Sequence, residues 1–511
     1  MTPQLNDADR SILEKAAIPE EEAQRQLEVL RGERTYRRLD RPCRIGDGIV
    51  AVEDEQIEEL VRLHESAAQA GRMMKFVPAS GAATRMFRDL SVWMGTEDDI
   101  VPAAIEAFFI RLEEFPFHAA ASAGLPRIDD SAEGTGRAQR LRSFLRYVLT
   151  PEGLGYLTLP KALIPFHRYP DEVRTAFAEH LIEALSLART GEGACRVHFT
   201  IGEAHQPRFE AERDALAEEL DARFSCRLHV DFSRQEPHTD TLALDGDGGP
   251  FRTRDGTLLL RPGGHGALLE NVGRAAGDIL LIKNIDNIQC QPAREAHRWL
   301  KVIGGLAVRI HAQLGAVLRR LGDASEQELD EALTFVTDEL GQPISSQEQL
   351  GSTDHKRDLL RRRLHRPLRV CGVVRNEGHP GGGPFWVRGD DGTVTRQIVE
   401  SAEIDREDRD QETILNASTH FNPVIMACAV RDFEDRAFQL EDFRDPSTCF
   451  LAEKSHERRP LLALEHPGLW NGSMAGWNTV FVELPSSTFS PVKTIDDLLH
   501  PSHQPDLRLS A

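Results

Sequence analysis

Three charged side chains stand where the surrounding sequence is apolar or built of small residues. Asp286 follows the apolar run Ile279-Leu280-Leu281-Ile282 and is flanked by Asn284 and Asn287. Lys161 comes directly after Pro160 inside LTLPKALIPF, a stretch where an ammonium without a partner is costly. An anion would be such a partner; a lysine snorkelling from a strand end is the alternative. Arg85 follows Ala79-Ser80-Gly81-Ala82-Ala83-Thr84, a small-residue loop that leads from the short apolar strand MMKFVP towards a helix. Such a turn lets backbone N–H groups and a helix N-terminus face a phosphate, and a guanidinium beside it would pair with the same group. One carboxylate and two cations in these settings suit the handling of phosphates, directly or through a metal.

The elements that position them come next. Residues 261–287, RPGGHGALLENVGRAAGDILLIKNIDN, read as one β-loop-α-β unit. A strand over 258–260 leads to a turn made by Pro262, Gly263, Gly264 and Gly266; a helix starts over 267–272, and a buried strand covers 279–282. Ligands bind at the carboxyl edge of open α/β sheets, which is where the glycine loop and Asp286 would lie. Upstream, residues 1–72 read as a helical segment and 90–150 as mostly helical, with 128–137 a polar surface connection. An amphipathic helix is expected over 170–188, strands over 195–201 and 226–232, and a helix over 208–220. Alternating strands and helices argue an α/β fold with a three-layer, mainly parallel sheet. Helices are expected again over 299–321 and 326–340. The basic run 356–366 reads as a solvated helix face, with a phosphate-facing role as the alternative. From 368 onward the chain is β-rich, with PGGGP and DDG turns and a charged loop over 404–412. His198 and His205 read as core or edge residues rather than metal ligands.

The totals exclude several function classes. The 511 residues carry 61 basic and 82 acidic side chains, a net charge of −21, which argues against a nucleic-acid coat or an anionic membrane surface. The seven cysteines (Cys43, Cys195, Cys226, Cys290, Cys371, Cys428 and Cys449) are scattered and never in CxxC spacing, so neither a disulfide frame nor a zinc ribbon is expected. The N-terminus lacks a signal-peptide pattern, and no apolar run is expected to cross a membrane. These points lead to the expectation of a soluble, cytoplasmic protein of open oligomeric state. No HExxH or paired His/Cys spacing favours a zinc hydrolase.

The order of these pieces resembles a known pattern. SGAATRMF is similar to the signature loop of sugar-phosphate nucleotidylyltransferases, and LPKALIPF to the lysine motif that follows it. In the UDP-sugar pyrophosphorylase branch, which includes the UDP-N-acetylhexosamine pyrophosphorylases, a glutamine after a strand precedes a D-G turn, a glycine loop and a strand ending V-D-N. Here those are Gln235, Asp255-Gly256, 262–266 and Ile285-Asp286-Asn287. QIVESAEI, THFNPVIM and TFSPVK resemble later segments of that branch. The surroundings of PGGGPFW and the Trp-rich end resemble a bacterial family of unknown function, DUF4301. The resemblance spans about residues 73–495 and implies a Rossmann-like, GT-A/nucleotidyltransferase-type sheet.

It also implies a division of the chain: a helical segment at 1–72, a nucleotidyltransferase-like core at 73–300 with an insertion at about 90–155, a helical region at 301–367, and a sugar-side part at 368–511 that completes the site. The implied reaction joins a nucleoside triphosphate, UTP by preference, to a sugar-1-phosphate with release of pyrophosphate. In that reaction Ser80, Gly81, Ala82 and Thr84 line the phosphate loop. Arg85, Lys161 and Lys493 neutralise phosphate charge, and Asp286 holds Mg²⁺. Gln235, Gly263, Gly264 and His265 read the base, and Glu400 and Asn422 contact the sugar.

The chain departs from the branch in four places. Ala79-Ser80 and Ala82-Ala83 stand where glycines are usual, and a long insertion separates Arg85 from Lys161. Ser401 and Ala402 replace a tyrosine and a serine. A non-catalytic nucleotide-sugar-binding protein is therefore the first alternative. A glycosyltransferase is the second, supported by nothing beyond the D-x-D spacing of Asp245 and Asp247 in a turn.

Overall fold

The computed structural model describes residues 5–123, 136–378 and 381–505. The chain divides into two compact units: one made of 1–67, 233–282 and 301–486, the other of 68–232, 283–300 and 487–511. The first has a run of parallel strands and the second a parallel pair, each with flanking helices, the expected α/β, largely parallel architecture.

In the first unit the strands Arg44–Ile45, Gly48–Val50, Asn478–Glu483 and Leu368–Arg375 follow one another in parallel. Ile425–Ala429 then pairs antiparallel with Leu368–Arg375, and Ile279–Lys283 lies beyond it. All five residues of Ile279–Lys283 are buried, the four apolar ones as expected and Lys283 with them. Two three-stranded antiparallel sheets complete this unit. One joins Arg38–Pro42, Gly383–Arg388 and Val394–Val399; the other joins Phe450–His456, Arg459–Glu465 and Ala243–Leu244.

In the second unit Met73–Pro78 pairs in parallel with Ala194–Thr200, and Arg227–Ser233 follows. The helix Ala176–Leu187 packs on this group and Gln206–Phe224 packs on the helix. Thr175 starts the first of these helices by accepting a hydrogen bond from the Ala178 N–H at 3.1 Å.

Several local expectations are corrected. Residues 258–260 form no strand; Leu258 and Arg261 make isolated bridges to Arg252 and Thr241. The helix expected from 267 begins as the 3₁₀ turn His265–Leu268 and becomes α-helical over Leu269–Arg274. The first 72 residues are not wholly helical, because three short strands lie between the helices Glu20–Arg31 and Asp54–Gln69. Two to five residues are too few for a period-two pattern to declare itself. The helix Ala176–Leu187 is not amphipathic: Glu179, His180 and Glu183 are buried along with its apolar residues. The charged loop contains the helix Arg409–Asn416, started by the Asp408 carboxylate on the N–H groups of Asp410 and Gln411. In the basic run, Lys356 is buried against Asp330 at 2.6 Å. Most of the polar connection at 128–137, and Pro380 of the PGGGP turn, lie outside the described residues.

Arg294–Arg320 is a 27-residue helix whose most apolar eighteen-residue window has a mean hydropathy of 1.2, long and apolar enough to cross a membrane. The sequence reading expected no such stretch. That window is 56% buried inside the fold, and its small residues have a packing reason. A Cβ at Gly305 would stand 1.9 Å from the Leu60 carbonyl oxygen, and one at Gly304 would stand 2.2 Å from His64 Nδ1. The glycines let this helix lie directly against Asp54–Gln69. Gly305→Ala is therefore expected to destabilise the protein by about 1–3 kcal/mol through backbone displacement, despite alanine's better helix propensity. A urea midpoint equal to or above that of the wild type would refute this packing argument.

Candidate phosphate-binding site

The expected loop after Met73–Pro78 is laced to the segment that carries Lys161. The Ala83 N–H donates to the Leu159 carbonyl and the Lys161 N–H to the Gly81 carbonyl, both at 3.0 Å, on either side of an Ala82–Pro160 bridge. The long insertion thus leaves and returns at one place, and its length does not separate Arg85 from Lys161. Ser80, Gly81, Ala82, Thr84 and Arg85 are exposed. The Ala83 N–H, one of the expected phosphate donors, already has its acceptor. A Cβ at Gly81 would meet nothing within 4 Å, so the loop is open on that side.

Lys161 is buried, and its ammonium has two oxygens. It donates to Asp286 Oδ2 at 2.8 Å and to the Val492 carbonyl at 2.7 Å. Asp286 keeps 23% of its side chain exposed. Its carbonyl accepts from the Val492 N–H at 2.9 Å, and Asn287 Oδ1 accepts from the Ser490 N–H at 3.1 Å. The C-terminal segment therefore runs alongside Asp286 and brings Lys493 with it. Burial pulls the Lys493 ammonium below the usual lysine range; Asp286 and Asp497 oppose that shift, while Lys161 and Arg85 add to it. Lys161 is thus bonded to Asp286, and Lys493 lies near enough to Asp286, Asp497, Lys161 and Arg85 for their charges to act on it: three cations and two carboxylates. Arg85 has no carboxylate partner among the described residues.

The residues expected to read base and sugar belong to the first unit. The His265 ring stacks on Trp470, with 4.2 Å between centroids and 21° between planes. Its Nδ1 accepts from the Leu469 N–H at 3.0 Å, so the ring proton sits on Nε2. Burial lowers its pKa from 6.5 to about 4. Glu400 accepts a hydrogen bond from the Trp470 side chain, and its pKa is raised by burial. The Asn422 amide is held inside the fold: Nδ2 donates to the Gly372 carbonyl at 2.8 Å and Oδ1 accepts from the Val424 N–H at 3.0 Å. Gln235 donates to Asp240 Oδ1 at 3.2 Å.

The glycine loop has internal reasons for its glycines. A Cβ at Gly263 would lie 2.4 Å from the His466 ring and 2.5 Å from the Thr239 carbonyl oxygen. Gly264 has φ +78°, and a Cβ there would meet Glu465 Oε2 at 2.7 Å. The close approach of a nucleotide ring, which the resemblance implied, is not needed to explain either residue.

Residues 6–504 match the family model described as Domain of unknown function (DUF4301). The chain belongs to this family. A comparison with curated proteins finds no significant match. Among solved structures, the chain is similar to the uridine diphosphate N-acetylglucosamine pyrophosphorylase of Trypanosoma brucei, at 13% identity and a TM-score of 0.48, covering 99% of this chain and 79% of that one. It is also similar to a mutant UDP-glucose pyrophosphorylase of Leishmania major in complex with UDP-glucose, at 13% identity and a TM-score of 0.46, covering 98% and 79%.

Beside these residues the DUF4301 chain carries charged groups that the sequence reading missed. Lys75 and Lys283 are buried with Glu183, and Asp497 accepts from the Lys493 N–H at 2.7 Å. His503 donates from Nε2 to the Ser490 carbonyl at 3.1 Å and faces His167 at 2.9 Å, which ties down the segment before Lys493. A signal for the two lysines existed: each interrupts or ends an apolar strand, MMKFVP and ILLIK, as Lys161 interrupts its own stretch.

Two pH dependences follow. Since the folded-state pKa of His265 is depressed, the stability it contributes is present above about pH 6.5 and lost as pH falls towards 4. His265→Phe, which keeps the stacking, is expected to flatten the fall of Tm over that window; an unchanged Tm profile would show that His265 does not titrate there. Lys493, with its pKa lowered, loses charge at lower pH than an exposed lysine. Pyrophosphate affinity measured by calorimetry is expected to decline on the alkaline side, and Lys493→Arg, always charged, is expected to hold it to higher pH. The same alkaline decline in both proteins would remove Lys493 from the site.

Proposed function

We propose that this protein is a nucleotidylyltransferase that joins a nucleoside triphosphate, UTP by preference, to a sugar-1-phosphate and releases pyrophosphate. The observation that carries this reading is Lys161 bonded to Asp286, with Lys493 under the charge of both and of Arg85, beside an exposed small-residue loop. Three cations against the carboxylates of Asp286 and Asp497 leave a positive balance, which suits a pyrophosphate-sized anion better than a neutral ligand. In the reaction a phosphate oxygen of the sugar-1-phosphate attacks the α-phosphorus, the bond to the bridging oxygen breaks, and pyrophosphate leaves with the electron pair. The nucleophile is already anionic at neutral pH, so no general base is required. The protein's task is to align two anions that repel each other and to neutralise the charge that shifts onto the leaving group.

Arg85 and the loop Ser80, Gly81, Ala82 and Thr84 take the β- and γ-phosphates in this reading. Lys161 acts as a fixed point charge on the α-phosphate or the sugar phosphate, and Lys493 approaches from the C-terminal segment. Gln235, Gly263, Gly264 and His265 read the base, and Glu400 and Asn422 the sugar, as the sequence resemblance implies. For a metal, Asp286 offers one partly exposed carboxylate, and among the described residues no group of three or more His, Cys, Asp or Glu side chains converges. That donor set fits Mg²⁺, which keeps several waters and shares its coordination with substrate phosphates. Bound at Asp286, Mg²⁺ would neutralise negative charge on the phosphate oxygens.

A non-catalytic nucleotide-sugar-binding protein is the second reading. It is favoured by the Ala83 N–H, which is bonded to Leu159, and by Lys161, whose hydrogen bonds already go to Asp286 and Val492. Pyrophosphate release measured with Mg²⁺, UTP and a panel of sugar-1-phosphates separates the two. Turnover is expected, with Lys161→Ala and Asp286→Ala losing on the order of 10²–10³ in rate while remaining folded. Ligand-induced stabilisation without turnover across the whole panel would favour the binding protein. Wild-type rates in both variants would overturn the assigned roles.

A further inference from the structure

One buried carboxylate joins the two strands that lead to the candidate phosphate site. Glu183 lies on the helix Ala176–Leu187 with its side chain 1% exposed. Its Oε2 accepts from Lys75 Nζ at 2.6 Å and its Oε1 from Lys283 Nζ at 2.7 Å. The lysine side chains are 1% and 3% exposed. Lys75 is on Met73–Pro78, the strand that runs into Ser80, Gly81 and Ala82; Lys283 ends Ile279–Lys283, three positions before Asp286. The same helix makes two further contacts. Lys75 Nζ also donates to the His180 carbonyl at 2.9 Å, and His180 Nε2–H donates to the carbonyl of Ile285, next to Asp286, at 3.1 Å. Burial pulls Lys75 down to about 8, and against the raising effect of burial Lys283 and Lys75 hold Glu183 well below the usual carboxylate range.

Stability alone does not account for this arrangement. Taking three charges out of water costs several kcal/mol per ion, and well-packed apolar side chains of similar volume are often as stable or more so. The bonds do something apolar contacts would do poorly: they fix, through directional hydrogen bonds, where one strand end stands relative to the other. We propose that Glu183 is a positioning residue of the phosphate site, holding the Ser80–Ala82 loop and the Asp286 turn in register through Lys75, Lys283 and, one turn away, His180. It acts through these residues and touches no substrate. This inference rests on the proposed function for its kinetic readout, and on anion binding alone for its second readout.

The test is the triple variant Lys75→Met, Glu183→Met, Lys283→Met, which leaves no buried charge unpaired. Its Tm is expected to equal or exceed that of the wild type, while its kcat for pyrophosphate release falls about 10- to 100-fold, the scale on which small misplacements act. A triple variant with wild-type Tm and wild-type kcat overturns the proposal. If the wild type itself shows no turnover, the proposed function has failed, and calorimetric affinity for inorganic pyrophosphate decides this inference instead: weakening of about 10-fold or more in the triple variant supports it, and equal affinity overturns it. Should the triple variant not fold, Lys75→Met alone leaves a neutral Lys283–Glu183 pair. It is expected to stay folded and to weaken pyrophosphate binding, and unchanged binding in it overturns the proposal.

Discussion

A lysine ammonium withdrawn from water must find oxygens inside the protein, and Lys161 finds them on two other stretches of the chain. Asp286 Oδ2 and the Val492 carbonyl each accept from it within 2.8 Å. That single group therefore ties the return of the insertion, the turn after Ile279–Lys283 and the C-terminal segment to one another. Breaking one partner of a buried pair leaves a charge with nothing to balance it, so none of the three segments moves without a large penalty. The proximity of Lys493 and Arg85 follows from the same tie. Around it the local balance is positive in a protein whose net charge is −21.

The same unit repeats the principle with glutamate in place of lysine. There the central group is Glu183 and its two partners are ammoniums. In both cases a side chain of one sign meets partners from segments distant in sequence, and the bonds are directional. Hydrophobic burial holds these segments together but does not by itself fix their register to a fraction of an ångström.

Much of this was legible in the sequence, and the reasons for success and failure are physical. The strand Ile279–Lys283 announced itself because its first four residues, buried on both faces, leave a continuous apolar run. Lys161 stood out because a charge in an apolar stretch demands an explanation. The same argument applies to Lys75 and Lys283; Glu183 gives no such signal, because charged residues in a helix read as an ordinary polar face, whereas here Glu179, His180 and Glu183 are buried. The strand expected over 258–260 failed for the converse reason: three leucines fit a strand, a loop packed over a core, or isolated bridges equally well, and Leu258 joins a cluster with Leu242, Leu244 and Leu464. Gly263 and Gly264, expected to read a base, are positions where a side chain would clash with His466, Thr239 and Glu465 of the protein itself. Sequence indicates that space is short; it does not say what fills it.

The paired bonds between Ala83 and Leu159 and between Lys161 and Gly81 carry one more implication. They close the base of everything from Thr84 to Thr158, so the excursion hangs from a fixed two-rung neck. Doubling the length of a flexible closed segment costs only roughly 0.6 kcal/mol in chain entropy. A change of length within that excursion therefore leaves the pairing of the Gly81–Ala83 loop with the Lys161 segment as it is.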